Sequence, residues 1–167
     1  MHEPTFRLAT PADAPAIAAL SRDLIESGLG WSWTPMRVAR NIRDRDTVVV
    51  AAGAPDRMAG FAIMYFAMEE AHLTLLAVRP DRRRAGLGSR LVRWLEASAL
   101  TAGIGIVHLE ARASNAGARA FYERLGYRCV ERLHGYYRGR EDALHMTHDL
   151  WAPSTDGRRS APQPPRA

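Results

Sequence analysis

The sequence predicts one α/β (α+β) domain, a central mixed sheet of about six or seven strands flanked by about four helices. Three observations carry that reading. Strand-like and helix-like patterns alternate along residues 1–151. The length of 167 residues suits one domain with a core that needs no staples. The composition, 47% apolar and 25% charged, is that of a globular protein.

The elements follow in order. Phe6 to Leu8 is a short apolar opening. Thr10-Pro11-Ala12-Asp13 supplies a cap, a proline at the first helical position and an acid in the first turn, and Ile17, Leu20 and Leu24 continue at helical spacing. Gly28 and Gly30 end that helix. Thr34-Pro35 repeats the signal before a short helix with Val38 and Ile42 on one face. TVVVAA (47–52) and residues 61–68 flank a Gly53–Gly60 turn and form a hairpin. HLTLLAV (72–78) is a strand stopped by Pro80, and the glycine turn after it opens a helix with Leu87, Leu91, Trp94 and Leu95 on one face. Residues 106–111 are a strand with Val107, Leu109 and Ala111 on one face and His108 and Glu110 on the other. Ser114-Asn115 caps a helix carrying Ala118, Phe121, Tyr122 and Leu125, closed by Gly126. Residues 127–133 and 143–150 are the last strands, with a loop at 135–140 between them. Residues 152–167 hold four prolines and no large apolar side chain, and are expected to be a disordered tail.

Composition excludes several chemistries. All 23 basic residues are arginine, so no lysine can act as a base or Schiff-base former. The single cysteine, Cys129, excludes an internal disulfide and a cysteine-rich zinc site. It sits in an apolar run and is expected to be buried and inert. No apolar run approaches the roughly 20 residues of a membrane span. The N-terminal residues have no basic and apolar leader pattern, so the expected address is the cytoplasm, without membrane association. The net charge of +5 sits in one window, residues 79–93, where six arginines face one acid, Asp81. Such a patch fits an anionic partner, a phosphorylated cofactor or nucleic acid. The nucleic-acid reading needs aromatics interleaved with the arginines, and Trp94 alone is near, on the apolar stripe of its helix.

The informative segment is LLAVRPDRRRAGLGSRLV, 75–92. A buried strand runs into a turn rich in arginine and glycine, and the turn becomes a helix. Unsatisfied N–H groups at the helix start, with the helix dipole, make an anion site. Gly86 and Gly88 allow close approach. A Walker loop needs a lysine, and a dinucleotide fingerprint needs a third glycine and an early position; neither is present. A plain strand-to-helix turn with a solvated arginine face remains the alternative at this point.

Strand, R-x-x-G-x-G and helix resemble motif A of the GNAT superfamily of acetyl-CoA-dependent N-acetyltransferases. LEARASNAGARAFYERLGY (109–127) is similar to the second half of that fold. Together with Glu70-Ala71 and GYYRGREDALHM (135–146), it resembles bacterial ribosomal-protein-alanine N-acetyltransferases, from about Met58 to Leu150. The resemblance implies an enzyme that moves acetyl from acetyl-CoA to a primary amine, a protein N-terminus by the nearest likeness. The other acceptors it leaves open are a small amine, an amino-acid derivative or a drug-like amine. A fold that binds the cofactor without catalysis is a further alternative, against which both Glu110 and Tyr122 stand. The chain is read as a monomer or homodimer with no metal and no nucleic-acid partner.

The resemblance also assigns residues. Backbone contacts to the cofactor's pantetheine arm fall on Leu76, Ala77 and Val78. Pyrophosphate contacts fall on Arg83, Arg84, Ala85, Gly86, Leu87, Gly88 and Ser89, and Asn115 is a further cofactor contact. Glu110 is implied as general base and Tyr122 as the acid near the sulfur, with Glu69 and Glu70 as alternative bases. Trp31, Trp33, Tyr136 and Tyr137 are implied as walls of the acceptor site, and the two tryptophans are equally readable as core plugs. On residue chemistry alone, the favoured reading of Glu110 is a surface glutamate paired with Arg112 or Arg138. On the same ground the ordinary reading of Tyr122 is a core tyrosine, and Asn115 is no more than a helix cap. The histidines at 72, 108, 134, 145 and 148 show no ligand spacing and are read as structural or exposed; His72 is a candidate for a proton relay.

Overall fold

The computed structural model describes residues 2–83 and 85–153. Most of the tail and Arg84 lie outside the described residues. The strands are β1 (Phe6–Leu8), β2 (Thr47–Ala52), β3 (Gly60–Phe66), β4 (Glu70–Val78), β5 (Ile106–Arg112), β6 (Arg128–Tyr137) and β7 (Glu141–Asp149). They form one sheet in the order β1-β2-β3-β4-β5-β7-β6. The α-helices are α1 (Ala14–Leu24), α2 (Pro35–Arg43), α3 (Leu87–Thr101) and α4 (Ala116–Arg124). The class and the alternation are as the sequence predicts. Two strands differ in extent: β6 extends through Tyr137 where a loop is expected from Gly135, and β3 ends at Phe66 rather than residue 68.

Each face of the sheet has its own core. On one side Ile17 and Ala18 of α1 and Val38 of α2 pack on Val49, Phe61 and Ile63. On the other, Leu91, Val92 and Leu95 of α3 pack on Val50, Met64, Leu109 and Met146. The helix entries are capped as their sequences predict. Thr34 accepts from Arg37 N at 3.3 Å, and Asn115 accepts from Ala118 N at 3.0 Å. Ahead of α1, Asp13 accepts from Thr10 N at 2.8 Å and takes two 2.7 Å bonds from the Arg7 guanidinium.

Two irregularities set up the cleft. Ile63 faces Leu75 and Met64 faces Leu73, so Thr74 is an extra residue in β4. The bulge reverses the alternation: Leu73 packs toward α3, whereas Leu75 packs toward α1 and α2. β4 and β5 then pair in parallel only from Glu70–Ile106 to His72–His108. Beyond that point no ladder joins them, and a space opens between the rest of β4 and the Leu109–Arg112 end of β5. Cys129 is exposed, against expectation. Its strand is the sheet edge, and Arg128 to Glu131 are all exposed there.

Candidate active site

The cleft between β4 and β5 holds two contiguous cavities. One, of about 530 Å³, is lined by Leu76, Ala77 and Val78 of β4, Arg83, Gly86, Leu87, Gly88 and Ser89 of the turn and α3, and Asn115, Gly117 and Phe121 near α4. The other, of about 570 Å³, is lined by His72 to Leu76, Glu110, Arg112, the α1–α2 loop with Trp33, and Tyr136 to Arg138. Leu24, Leu76, Asn115, Ala118 and Tyr122 line both, so the two volumes meet at these side chains.

The first cavity has the form of an anion site. Gly86 is the cap of α3 and adopts φ +72, the left-handed region that glycine enters without strain. A Cβ on Gly88 would stand 3.3 Å from the Phe121 ring, so that helix start is also pressed against α4. Arg83 donates to Val78 O at 3.2 Å, which draws its guanidinium toward the mouth. Ala85 does not line this cavity. Half-buried along β4, Leu76 and Val78 border a volume with no strand opposite.

In the second cavity Glu110 is paired with His72, not with Arg112 or Arg138. The His72 Nε2–Glu110 Oε2 distance is 2.5 Å, with side-chain exposures of 27% and 15%. Burial pushes the Glu110 carboxyl up, but the His72 hydrogen bond and the fields of His72, His108 and His145 outweigh it and hold it below the usual carboxylate range. Glu110 is therefore ionised at neutral pH. Arg112 is engaged elsewhere: it donates to Ile25 O at 2.7 Å and Ser27 O at 2.8 Å, and its Nη1 is 3.5 Å from Glu141. Ser114 donates to the same glutamate. Glu70 is exposed, 3.9 Å from His108 Nε2, and like Glu69 it does not line the cavity.

Tyr122 packs from α4 into the junction, edge-on to Phe121 at 5.0 Å and to Tyr127 at 5.6 Å. Burial, with a smaller contribution from Tyr137, raises its pKa, so its hydroxyl keeps its proton. Asn115 caps α4 through its side-chain oxygen and still borders both cavities. The paired tryptophans separate. Trp33 is buried, carries the Arg37 guanidinium at 4.0 Å from its ring centre and lines the second cavity. Trp31 is exposed, pairs with Arg22 and does not line it. Tyr136 and Tyr137 do line it, at 5.0 Å edge to face.

Sequence reasoning missed two parts of the site. Glu26 is a buried carboxylate that fixes the α1–α2 loop, accepting from Ser32 N at 2.7 Å, Ser32 Oγ at 2.6 Å, Trp33 N at 3.3 Å and Ser21 Oγ at 3.1 Å. Burial raises its pKa, and these donors more than offset that, leaving it below the usual range. The other missed part is the grouping of His72, His108 and His145 around Glu110, which the reading as structural or exposed residues does not foresee. The signal for it is strand register: His72 stands opposite His108, and Glu110 opposite His145. His148 and His134 are elsewhere, bonded to Glu96 at 2.6 Å and Asp142 at 3.2 Å.

Comparison with known proteins agrees with this geometry. Residues 17–127 match the model of the acetyltransferase (GNAT) family. The [ribosomal protein bS18]-alanine N-acetyltransferase of Salmonella typhimurium is 45% identical over 96 residues, 56% of this chain and 65% of that protein. The matched segment thus spans just under two thirds of that relative. The crystal structure of the Escherichia coli ribosomal-protein-S18-alanine N-acetyltransferase superposes with a TM-score of 0.76 at 31% identity, covering 91% of this chain and 97% of that one. An aminoglycoside 6′-N-acetyltransferase complexed with coenzyme A shares the fold, with a TM-score of 0.75 at 20% identity over 89% of this chain and 98% of its own. A bulged strand parting from its parallel neighbour, a glycine turn at the first helix beyond it and a matched segment reaching from α1 to Tyr127 have one common account: the chain belongs to the acetyltransferase (GNAT) family.

Proposed function

We propose that this protein transfers acetyl from acetyl-CoA to the α-amine of a protein N-terminus, in the cytoplasm. The observation that carries the reading is the junction of the two cavities at Tyr122, between a glycine-lined anion site and a pocket holding an ionised glutamate. Coenzyme A carries about four negative charges, which the turn's N–H groups and arginines suit. The free inner edge of β4 at Leu76–Val78 suits the amide groups of the pantetheine arm, which pair as another strand would. The thioester then lies near Tyr122.

In the reaction the acceptor nitrogen attacks the thioester carbonyl carbon, and the carbon–sulfur bond breaks. Glu110 takes the amine's proton directly or through water. Tyr122 gives its hydroxyl proton to the departing sulfur. His72 holds the Glu110 carboxylate in place and is a positioning residue. A carboxylate with a low pKa is a weak base, and this favours one class of acceptor. An α-amine has a pKa of about 7.7–8.0, so on the order of a tenth is neutral at pH 7; a lysine amine at about 10.4 is neutral in fewer than one in a thousand molecules. The names of the Salmonella and Escherichia relatives support the same class, since both describe an alanine of a ribosomal protein as acceptor.

The test is acetyl transfer by purified protein to a panel of peptides with free N-termini and to small amines, including an aminoglycoside. Turnover on peptides with small first residues is expected. Turnover on small amines with none on peptides would refute the acceptor assignment and keep the transferase.

A further inference from the structure

His72, His108 and His145 stand on three neighbouring strands, β4, β5 and β7, on the side of the sheet opposite α3. Register sets them together: His72 faces His108 across one ladder, and His145 faces Glu110 across the next. The His72 and His108 rings are 4.7 Å apart, and the His108 and His145 rings 5.4 Å. One nitrogen each of His72 and His108 and a carboxylate oxygen of Glu110 lie within 4.8 Å of one another. Among the described residues, the buried side-chain polar atoms without a hydrogen-bond partner are His108 Nδ1 and His145 Nε2, both in this cluster. Buried polar atoms nearly always have partners, so two orphans side by side ask for a reason.

We propose that His72, His108 and Glu110 form a binding site for one divalent transition-metal ion of the zinc class. Two imidazoles and a carboxylate are a zinc donor set, with bonds of about 2.0–2.1 Å, and imidazoles sharing one tetrahedral ion lie roughly 5 Å apart between ring centres. Such donors favour zinc, cobalt, nickel and copper over magnesium or calcium. The fourth position falls to His145 or to solvent. His72 and Glu110 line the acceptor cavity, which gives the ion its entry. Bound there, the ion takes the carboxylate that accepts the amine's proton and the imidazole that holds it. Metal therefore inhibits acetyl transfer. That consequence rests on the acetyl-transfer reading, whereas the binding itself does not.

The experiment begins with full-length, chelator-treated protein in a Cys129→Ser background, because an exposed thiol also takes these metals. Cobalt titration is followed by its visible absorption, and zinc titration by calorimetry. One ion per chain, with a Kd of about 1 μM or tighter, is expected. His108→Asn and His72→Asn, shown folded by circular dichroism and thermal melting, weaken binding at least tenfold. No saturable binding, or an unchanged Kd in both variants, overturns the site. Acetyl transfer is then read by mass spectrometry of a peptide acceptor, since the coenzyme A thiol itself binds zinc. Zinc should inhibit at concentrations that track its Kd, chelator should reverse it, and His108→Asn should need at least tenfold more zinc. Saturable binding without inhibition overturns the blocking role. A metal-free protein inactive on every amine refutes the transferase reading and leaves the cobalt titration to decide the site.

Discussion

Glu110 and Tyr122 carry the proposed chemistry, and each has an isosteric test. Glu110→Gln keeps the shape and removes the basicity. Turnover should fall about 10²–10⁴-fold with acetyl-CoA affinity near wild type; near-normal turnover would remove Glu110 from the role of base. Tyr122→Phe removes only a hydroxyl from a side chain already packed on Phe121 and Tyr127. A purely structural tyrosine would leave kcat intact. An acid leaves folding and cofactor binding unchanged and lowers kcat, with part of the loss recovered on a thioester whose thiol is more acidic. Equal losses on good and poor leaving groups would remove the acid role. The alternation of 106–111 by itself puts Glu110 off the core face, and its side chain does line the cavity. His72 as its partner was not legible, because pairing across two strands far apart in sequence depends on their register, which neither strand's own pattern records. Trp31 and Trp33 show the same limit. Two residues apart and alike in chemistry, they diverge because Glu26 fixes the loop at Ser32 and Trp33, leaving Trp31 outside.

The glycine turn and α3 work as a unit, and a substitution there can separate binding from folding. Gly86 caps α3 at φ +72, a left-handed conformation that strains any side chain, aspartate less than most. Gly86→Asp should therefore still fold, with stability lowered by about 1–2 kcal/mol. The added carboxylate would face the pyrophosphate, and acetyl-CoA affinity by calorimetry should fall at least about tenfold. Unchanged affinity in the folded variant would detach this turn from the cofactor. The turn, α3 and α4 were legible because capping residues, glycines and helical spacing are local. The bulge at Thr74 was not: T-L-L-A-V is apolar almost throughout, and such a run carries no parity from which to read a reversal of faces. The edge strand β6 departs from expectation for a related reason. Cys129 and Val130 look like interior residues in sequence, yet they lie on the sheet's edge strand and both are exposed.

At the scale of the whole molecule, one ion pair ties the first strand to the turn after β2 and to the entry of α1. Arg7 makes two bonds to Asp13, which is fully buried, and a third to Gly53 O at 2.7 Å. The Arg7 guanidinium holds the Asp13 carboxyl below its usual range, with burial opposing. A depressed carboxylate pKa stabilises the fold above the unfolded value of about 3.9, and this is lost as pH falls through the lower folded value. Asp13→Asn should cost about 1.5–3 kcal/mol near pH 7 by denaturant unfolding, and the gap from wild type should narrow as pH falls below the unfolded value of about 3.9. A gap independent of pH would mean that the pair contributes by shape alone. The fold that this pair braces brings the anion site, the junction and the acceptor pocket into one cleft, and the central claim is that acetyl crosses that cleft to an α-amine. The most direct measurement offers purified protein and acetyl-CoA a peptide bearing both a free N-terminal alanine and an internal lysine, and locates the product by fragment mass spectrometry. The account predicts one acetyl group, on the α-amine, formed at a rate that collapses in Glu110→Gln. Acetyl on the lysine, or an α-amine product formed as fast by the Glu110→Gln variant, would contradict it.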